Sequence, residues 1–304
     1  MKKRTILVFI DGLGWGQPDP ATNPQFAYGG EIFRLPPRMD AVQEVSGGGF
    51  ARPIDAVLGV AGVPQSATGQ TTLLSGINAQ EILGKHLTGF PNERLREVLL
   101  EHSVLKTLTD MGLDARFLNA FRPRFWELTR ERQLTFSATT VANLAADQPF
   151  FTLDDIREGR SIYQEFTNTE LRARGFDLDP MTPAEAGRVL GRASRRLDFT
   201  LYEYFQSDKA GHSGDIGRSC EELVKLDSFM TALLEELSDD LGAGTLVLVT
   251  SDHGNLEDMT TRRHTLNPIP LMGWGDGARD FLTDVARLDE VSPAIVARHK
   301  GGSD

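Results

Sequence analysis

Three aspartates in this sequence follow apolar runs, and together they can form an acidic site. They are Asp11 after residues 5–10, Asp208 after residues 199–205, and Asp252 after residues 245–250. Continuous runs rich in Val, Ile, Leu and Phe are typical of strands covered on both faces of a sheet. Because ligands gather beyond the carboxyl ends of the strands in open α/β sheets, this spacing predicts that the three carboxylates share one site.

Three histidines lie in short polar segments, two of them close to these aspartates. His212 stands four residues after Asp208, His253 directly follows Asp252, and His264 lies in RHTLNPIP, where two prolines extend the backbone. Oxygen and nitrogen ligands without sulfur suit Zn, Mn or similar divalent cations. Each piece taken alone also fits a simpler structure: a capping Asp beside an exposed His, a solvated turn, or a structural His.

Ser66 in VPQSATGQTTLLSG stands where a helix is expected to begin. We expect it to be the N-cap of a helix that continues through Leu74 and ends near Gly76. A hydroxyl there lies in the positive field of the helix, beside free N–H groups that suit phosphate oxygens. A plain N-cap serine fits the same pattern. With the six Asp and His ligands, however, Ser66 completes a set for two divalent cations bridged by a nucleophile.

The elements that must position these residues alternate between strand and helix patterns. This alternation predicts an α/β fold with a mostly parallel central sheet flanked by helices. Further strands are predicted at residues 51–57, 114–118 and 269–273, and helices at 93–111 and 217–237. Thr182-Pro183-Ala184-Glu185 has the form of a capping box that opens a helix to about residue 197. The tail HKGGSD is expected to fray.

Residues 121–180 differ from the rest, with mixed periodicity, several arginines and no strong buried strand. We interpret them as a small inserted cap or lid, with residues 1–120 and 181–304 forming the core. Arg116, Arg122 and Arg124 in RFLNAFRPRF can clamp a carboxylate or phosphate. We favour the alternative that they belong to a solvated basic surface.

The formal net charge of −11 disfavours nucleic acid as a partner, because non-specific binding requires a basic face. The apolar run after MKKR ends at Asp11, so it is too short for a targeting segment or a membrane span. The single cysteine, Cys220, cannot form an internal disulfide, which is consistent with a reducing compartment. We expect a cytoplasmic protein that binds neither membrane nor nucleic acid, and the oligomeric state stays open.

Five segments, in order, resemble the alkaline phosphatase superfamily: FIDGLGWG, PQSATGQTTLLSG, DKAGHSGD, TSDHGN and RHTLNPIP. They are most similar to its metalloenzyme branch, which includes cofactor-independent phosphoglycerate mutase and phosphopentomutase. The resemblance covers about the first 85 residues and those after about residue 198. It departs from the family at Gln70, where members often have His, and at Gln65, where they often have Asn or Asp.

The resemblance implies a centre with two divalent cations, Mn or Zn, with Mg as a further option. One cation would be held by Asp11, Ser66, Asp252 and His253, and the other by Asp208, His212 and His264. Ser66 matches the position of the nucleophile, with Thr68 as the alternative.

The implied activity is phosphoryl transfer from a small phosphorylated metabolite through a phosphoserine. Chain length favours phosphomonoester hydrolysis, because the inserted transferase domain of the large mutases has no counterpart here. A phosphomutase and a non-catalytic metal-binding module are the alternatives.

Overall fold

Seven strands form one sheet in the computed structural model, which describes residues 2–37 and 40–301. They are β1 (Arg4–Ile10), β2 (Gln43–Val45), β3 (Gly49–Ile54), β4 (Ala115–Phe117), β5 (Phe199–Tyr204), β6 (Thr245–Thr250) and β7 (Ile269–Gly275). The predicted strands are therefore confirmed, with the one predicted at residues 51–57 beginning and ending earlier.

The sheet has a parallel half and an antiparallel half, in the strand order β2-β3-β7-β6-β1-β5-β4. β1 pairs in parallel with β5 and β6, and β5 pairs in parallel with β4. β7 returns antiparallel to β6, and β3 and β2 follow in alternating directions. The predicted α/β fold is confirmed. The prediction of a mostly parallel sheet is wrong, because β7 re-enters antiparallel beside β6 through the loop that carries His264, and β3 and β2 extend this antiparallel half.

The central strands are covered on both faces, as their apolar runs predict. Ile6 and Val8 of β1 pack into one hydrophobic cluster, whereas Leu7 and Phe9 pack into the other. Side chains alternate between the two faces of a strand, so a run without polar residues fits only a strand buried on both sides. The carboxyl ends of β1, β5 and β6 consequently meet at one edge of the sheet.

Helices cover the two faces of this sheet. They are α1 (Pro24–Ala27), α2 (Ser66–Ser75), α3 (Ala79–Leu83), α4 (Glu93–His102), α5 (Val104–Asp110), α6 (Arg130–Gln133), α7 (Ala138–Ala145), α8 (Leu153–Arg157), α9 (Thr169–Ala173), α10 (Pro183–Ser194), α11 (Gln206–Ser213), α12 (Ile216–Glu236), α13 (Ser238–Leu241), α14 (Ala278–Asp284) and α15 (Val291–Lys300). Short 3₁₀ turns cover Ser46–Gly48, Pro123–Glu127 and Leu288–Glu290. Within the described ranges, no helix combines the length and the apolar character that crossing a bilayer requires.

Several predicted helices are confirmed, and one is divided. Thr182 and Glu185 form the predicted capping box at the start of α10, and α12 matches the prediction to one residue at each end. The helix predicted over residues 93–111 is interrupted at Ser103, whose extended backbone ends α4 and whose hydroxyl caps α5. The tail HKGGSD begins as helix, because α15 continues to Lys300; residues 302–304 lie outside the described residues.

Residues 121–180 contain α6 to α9 and pack in two ways. Ala138, Val141 and Ala142 of α7 belong to the core cluster on one face of the sheet. A separate small cluster is built mainly from later parts of the segment; its buried members are Ala120, Leu153, Ile156, Tyr163, Leu171 and Leu178. The division into a core of residues 1–120 and 181–304 and a cap of residues 121–180 stays a prediction.

Candidate metal centre

Asp11, Asp252 and His253 form a buried cluster at the ends of β1 and β6. The Nε2 atom of His253 lies 3.3 Å from Oδ1 of Asp11 and 3.5 Å from Oδ2 of Asp252. One ligand atom from each residue lies within 4.8 Å of the other two. The parallel pairing of β1 with β6 brings the two aspartates together, and Gly12 turns the chain out of β1 with a φ of 73°.

Asp208, His212 and His264 form a second cluster with the same spacing. The Nε2 atom of His212 lies 3.4 Å from Oδ2 of Asp208, and that of His264 lies 3.5 Å from Oδ1. The segment Asp208–His212 is one turn of α11 rather than a solvated turn, which places residues four apart on one face. Gly211 is needed because of close packing, since a Cβ there would lie 2.6 Å from Cγ of Asn255.

The two clusters lie side by side. The rings of His253 and His264 stack with 3.6 Å between their centroids. The start of α11 is held to the end of β1 because Ser207 Oγ donates a 2.6 Å hydrogen bond to the carbonyl oxygen of Asp11. All six predicted Asp and His residues are therefore brought to one edge of the sheet.

Ser66 joins the clusters from the start of α2. Its Oγ lies 3.0 Å from Nε2 of His253. Ser66 is the first helical residue, and the predicted N-cap position is held by Gln65, whose side chain makes no capping hydrogen bond. The alternative nucleophile, Thr68, uses its hydroxyl in hydrogen bonds with the backbone of Gln65 and Leu87.

Close packing holds α2 against the loop after β6. Gly69 lies one turn after Gln65 on this helix, and a Cβ there would lie 2.6 Å from the carbonyl oxygen of Asp252. Because Gly69 has no side chain, the helix approaches the Asp252 loop closely enough to bring Ser66 within hydrogen-bonding distance of His253.

The electrostatics of the site reflect carboxylates that are buried together. Burial and the charge of Asp252 raise the pKa of Asp11 well above its ordinary value. Burial alone lowers the pKa of His253, but the charges of Asp252 and Asp11 outweigh it and raise this pKa to about 10. Burial alone raises the pKa of Asp208, but hydrogen bonding with His264 and the charge of His253 lower it to about 2. The arrangement therefore favours positive charge at its centre.

The donor atoms fit divalent cations. Nδ1 of His212 lies 2.8 Å from the carbonyl oxygen of Arg262, and Nδ1 of His264 lies 3.1 Å from that of Pro64. Because a carbonyl oxygen only accepts, we infer that both Nδ1 atoms carry the proton, which leaves the two Nε2 atoms as donors of lone pairs. These Nε2 atoms are 3.2 Å apart, where two lone pairs repel unless a cation or proton lies between them.

Two carboxylate oxygens of the first cluster that lack partners also indicate a site for a divalent cation. Oδ1 of Asp11 and Oδ2 of Asp252 are buried and have no hydrogen-bond partner. A buried carboxylate oxygen without a partner is costly. A divalent cation at this cluster would satisfy both oxygens, because carboxylate oxygens and imidazole nitrogens bind such ions.

Residues that the sequence analysis did not assign also contact the ligands. Gln70 donates a hydrogen bond of 3.1 Å to Oδ2 of Asp11, so it orients this carboxylate at the position where family members often have His. Asn255 donates a 2.7 Å hydrogen bond to Oδ1 of Asp208 and thereby links the loop after β6 to the second cluster. The Asn in TSDHGN was a usable signal for this contact, whereas Gln70 stands in a helix without any local indication.

Glu257 holds the three ligand-bearing loops together. It is 1% exposed. Its Oε2 accepts hydrogen bonds from the backbone N–H groups of Gly14 at 3.1 Å and Asn255 at 2.7 Å. Its Oε1 accepts from Asn267 at 3.0 Å and from the hydroxyl of Thr265. Glu257 was not among the residues predicted from the sequence, although an acidic residue four positions after His253 was a usable signal.

The three arginines that could form a substrate clamp lie in two different places in the structure. Arg116 stacks over the ring of Phe151 at 4.9 Å and lies 3.9 Å from Asp114. Arg122 and Arg124 instead line a cavity under residues 121–180. The favoured interpretation as solvated surface fits their exposure, but not their position at this cavity.

Comparisons with known proteins support the resemblance. Residues 178–300 match the family model of the Metalloenzyme superfamily. An alignment of 109 residues shows 33% identity with the 2,3-bisphosphoglycerate-independent phosphoglycerate mutase of Haloquadratum walsbyi, over 33% of this chain and 21% of that protein. The enzyme of the same name from Desulforudis audaxviator is 28% identical over 40% of this chain and 25% of its own length. The matched part thus spans a quarter or less of these relatives.

Solved structures share the fold over the whole chain. The PH0037 protein from Pyrococcus horikoshii has a TM-score of 0.57 and 15% identity, with 100% of this chain and 98% of that chain covered. A cold-active alkaline phosphatase from Shewanella sp. has a TM-score of 0.52 and 10% identity, with 97% and 99% covered. The predicted resemblance is therefore confirmed: residues 178–300 match the family model of the Metalloenzyme superfamily, and the chain has an alkaline-phosphatase-like α/β fold.

Proposed function

We propose that this protein is a metal-dependent phosphomonoesterase that acts through a phosphoserine at Ser66. The observation that carries the proposal is the position of the Ser66 hydroxyl, at the start of α2 and 3.0 Å from His253 of the buried cluster. Asp11, Asp252, His253 and Ser66 would hold one divalent cation. Asp208, His212 and His264 would hold the other. The donor set suits Mn²⁺ or Zn²⁺, and Mg²⁺ is a further option.

Bound cations would supply charge stabilisation and a lowered pKa for the serine hydroxyl. Ser66 Oγ then forms a bond to phosphorus while the bond from phosphorus to the ester oxygen breaks. The departing oxygen leaves with a proton as an alcohol. Backbone N–H groups at the very start of α2 would donate to the phosphoryl oxygens. Water then attacks the phosphoserine, which releases phosphate and restores the hydroxyl.

Two other functions are less well supported. A phosphomutase would return the phosphoryl group to a second hydroxyl, and the names of the relatives favour it, but the matched segments cover a quarter or less of those enzymes. A non-catalytic metal-binding module has no need of a serine at a helix start beside the ligands. Hydrolysis of a small phosphorylated metabolite remains the function that the site supports best.

The test is turnover of p-nitrophenyl phosphate by protein stripped with EDTA and then supplied with Mn²⁺, Zn²⁺ or Mg²⁺. We expect activity only with added cation. Removing an essential nucleophile costs on the order of 10⁴-fold or more, so Ser66→Ala should lose that much turnover. Ser75→Ala, which removes a hydroxyl from the same helix that bonds only to Thr71 and Ile77, should stay within a few-fold of the parent.

Mass spectrometry of acid-quenched protein should place one phosphoryl group on the peptide that contains Ser66. Full turnover by Ser66→Ala contradicts the assignment of the nucleophile. Release of free phosphate from 3-phosphoglycerate supports hydrolysis, whereas its conversion to 2-phosphoglycerate without release supports the mutase.

A further inference from the structure

A cavity of about 590 Å³ lies beside the metal centre, between residues 121–180 and the carboxyl end of β5. Lys209, which lines it, directly follows Asp208 on α11. Phe90, on another wall, lies three residues after Leu87, whose N–H donates to Thr68 of the Ser66 helix. The cavity therefore borders α11, the helix of the second cluster, and a loop that is hydrogen-bonded to the helix of Ser66.

Four cationic side chains line this cavity: Arg122, Arg124, Arg132 and Lys209. In the described part of the chain, none of them has a carboxylate oxygen within 4.0 Å; the ion pairs that are present involve other residues. Concentrating four unpaired cations at one cavity of a chain with net charge −11 creates a local positive field. Such a field attracts an anion.

The carboxyl groups that line the same cavity do not neutralise these cations. Glu170 accepts hydrogen bonds from Arg174 and Gln164. Glu203 accepts a 2.6 Å hydrogen bond from Thr139, and burial raises its pKa to about 7, so it is only partly charged at neutral pH. The positive charge of the cavity is therefore available to a ligand.

Aromatic rings form most of the apolar wall. They are Phe90, Phe117, Phe121, Phe125, Phe136, Phe205 and Tyr163. Phe121 and Phe125 pack with 4.5 Å between ring centroids, and Phe125 contacts Phe136 at 5.6 Å. Phe90 and Phe136 are 66% and 37% exposed, although large apolar side chains are usually covered. Aromatic surfaces of this kind suit a flat apolar ligand.

We propose that this cavity binds the leaving group of the substrate, and that the substrate is a phosphate monoester whose alcohol carries an aromatic ring and a further anionic group. The proposal rests on the proposed function, since the metal centre would hold the transferred phosphoryl group. Cavities of roughly 300–1,000 Å³ hold drug-sized ligands. A three-carbon phosphorylated acid would contact only a small part of these aromatic walls.

A matched pair of esters tests whether the cavity prefers a leaving group that carries a negative charge. 4-(Carboxymethyl)phenyl phosphate and 4-(carbamoylmethyl)phenyl phosphate have the same shape, and the methylene group keeps their leaving groups similar. We expect kcat/KM to be roughly tenfold higher for the carboxylate, as charge-assisted hydrogen bonds to arginine imply. Glycerol 3-phosphate, which lacks the ring, should be the poorest substrate.

Variants test which residues cause the preference for the carboxylate ester. Arg122→Gln combined with Arg124→Gln should abolish most of the preference for the carboxylate ester while retaining turnover of the amide ester. Arg188→Gln, which removes an exposed arginine of α10 that pairs with Glu235, should leave the preference unchanged. Equal kcat/KM for the two esters in the parent protein overturns the anionic part of the proposal.

A binding measurement separates failure of this proposal from failure of the proposed function. Calorimetric titration of EDTA-treated protein with 4-hydroxyphenylacetate should show binding that Phe136→Ala and the double arginine variant weaken by roughly threefold to tenfold. Binding without turnover of any ester leaves the cavity proposal standing and overturns the proposed function. Turnover of all esters at similar rates, without binding of 4-hydroxyphenylacetate, overturns the cavity proposal alone.

Discussion

The two ligand clusters have the same kind of composition but different access to water. The side chains of Asp252 and His253 are 0% exposed, whereas the side chain of His212 is 44% exposed and that of Asp208 is 18% exposed. The first cluster is attached to the ends of two central strands, and the second is attached to a helix and a loop. Water can replace a cation at the exposed cluster far more easily than at the buried one.

This difference leads us to expect that the two clusters bind their cations with different affinities. At the buried cluster, Oδ1 of Asp11 and Oδ2 of Asp252 have no hydrogen-bond partner, so losing a bound cation would leave the desolvation of these two atoms uncompensated. At the second cluster, solvent reaches the side chains of His212 and Asp208, whereas the side chain of His264 is 5% exposed. We therefore expect a tightly held cation at the first cluster and an exchangeable one at the second.

The largest effect should come from the buried cluster. Asp252→Asn removes a ligand from a site that solvent does not reach, so we expect one cation fewer to be retained through dialysis. Several kcal/mol of charge stabilisation would be lost, and turnover should fall on the order of 10³-fold. Metal analysis and p-nitrophenyl phosphate kinetics measure both. Asp280→Asn, at an exposed position of α14, is the control, and a variant that retains both cations contradicts the comparison.

A smaller and reversible effect should come from the exposed cluster. His212→Ala should lower activity by roughly 10- to 100-fold at limiting cation and regain much of it when the cation concentration is raised. His102→Ala removes a histidine that is equally exposed and contacts Glu101, so it should have no effect. If added cation rescues Asp252→Asn but not His212→Ala, the assignment of the tight and exchangeable sites must be reversed.

Glu257 should affect both clusters, because its carboxylate accepts hydrogen bonds from three loops. Glu257→Gln replaces one accepting oxygen by a donor, which leaves buried N–H or O–H groups without a partner at a cost of about 1–3 kcal/mol. We expect cation affinity to fall by roughly tenfold, together with a lower free energy of unfolding. Glu235→Gln, at an exposed position of α12, is the matched control. Unchanged cation affinity would mean that the loops keep their arrangement without this carboxylate.

The last prediction concerns stability rather than activity, and it tests how much a charged carboxylate at this edge of the sheet destabilises the fold. Burial raises the pKa of Glu203 from 4.5 to about 7, a hydrogen bond from Thr139 opposes this, and the charge of Asp252 adds to it. The folded protein therefore holds this proton more tightly than the unfolded chain, and stability is lost as pH rises from about 4.5 to 7.

Glu203→Gln removes this loss. The variant should be more stable than the parent at pH 8 by on the order of 3 kcal/mol, with the difference disappearing below about pH 4.5. Urea unfolding at a series of pH values measures the effect, with Glu127→Gln as an exposed control. A difference independent of pH would show that hydrogen bonding or packing, rather than ionisation, dominates at this position.

Much of the candidate site could be predicted because most of its residues follow long apolar runs or stand at the start of a helix. Asp11 and Asp252 follow apolar runs that fit only buried strands, and the parallel pairing of those strands places the two residues together. Ser66 follows from helix-start preferences with an error of one residue. The antiparallel half of the sheet could not be predicted, because strand direction depends on how the chain returns through a loop and not on the residues within the strand.

Other contacts had no local signal. Gln70 is 59 residues from Asp11, and its hydrogen bond depends on the approach of α2 to β1. The break at Ser103 was hidden because helical periodicity continues on both sides of it. The sequence pattern around Arg122 and Arg124 indicated an ordinary basic surface, because the cavity that they line is formed by segments distant in sequence.

The sequence alone identified the candidate metal-binding residues and the runs that form the central strands, because side-chain type and burial periodicity are local properties. The tertiary structure alone decided that the ligands form one buried and one exposed cluster, that Glu257 joins three loops, and that unpaired cations and aromatic rings surround one cavity. These features depend on distances between segments that are far apart in the chain, and packing sets those distances only when the whole fold has formed.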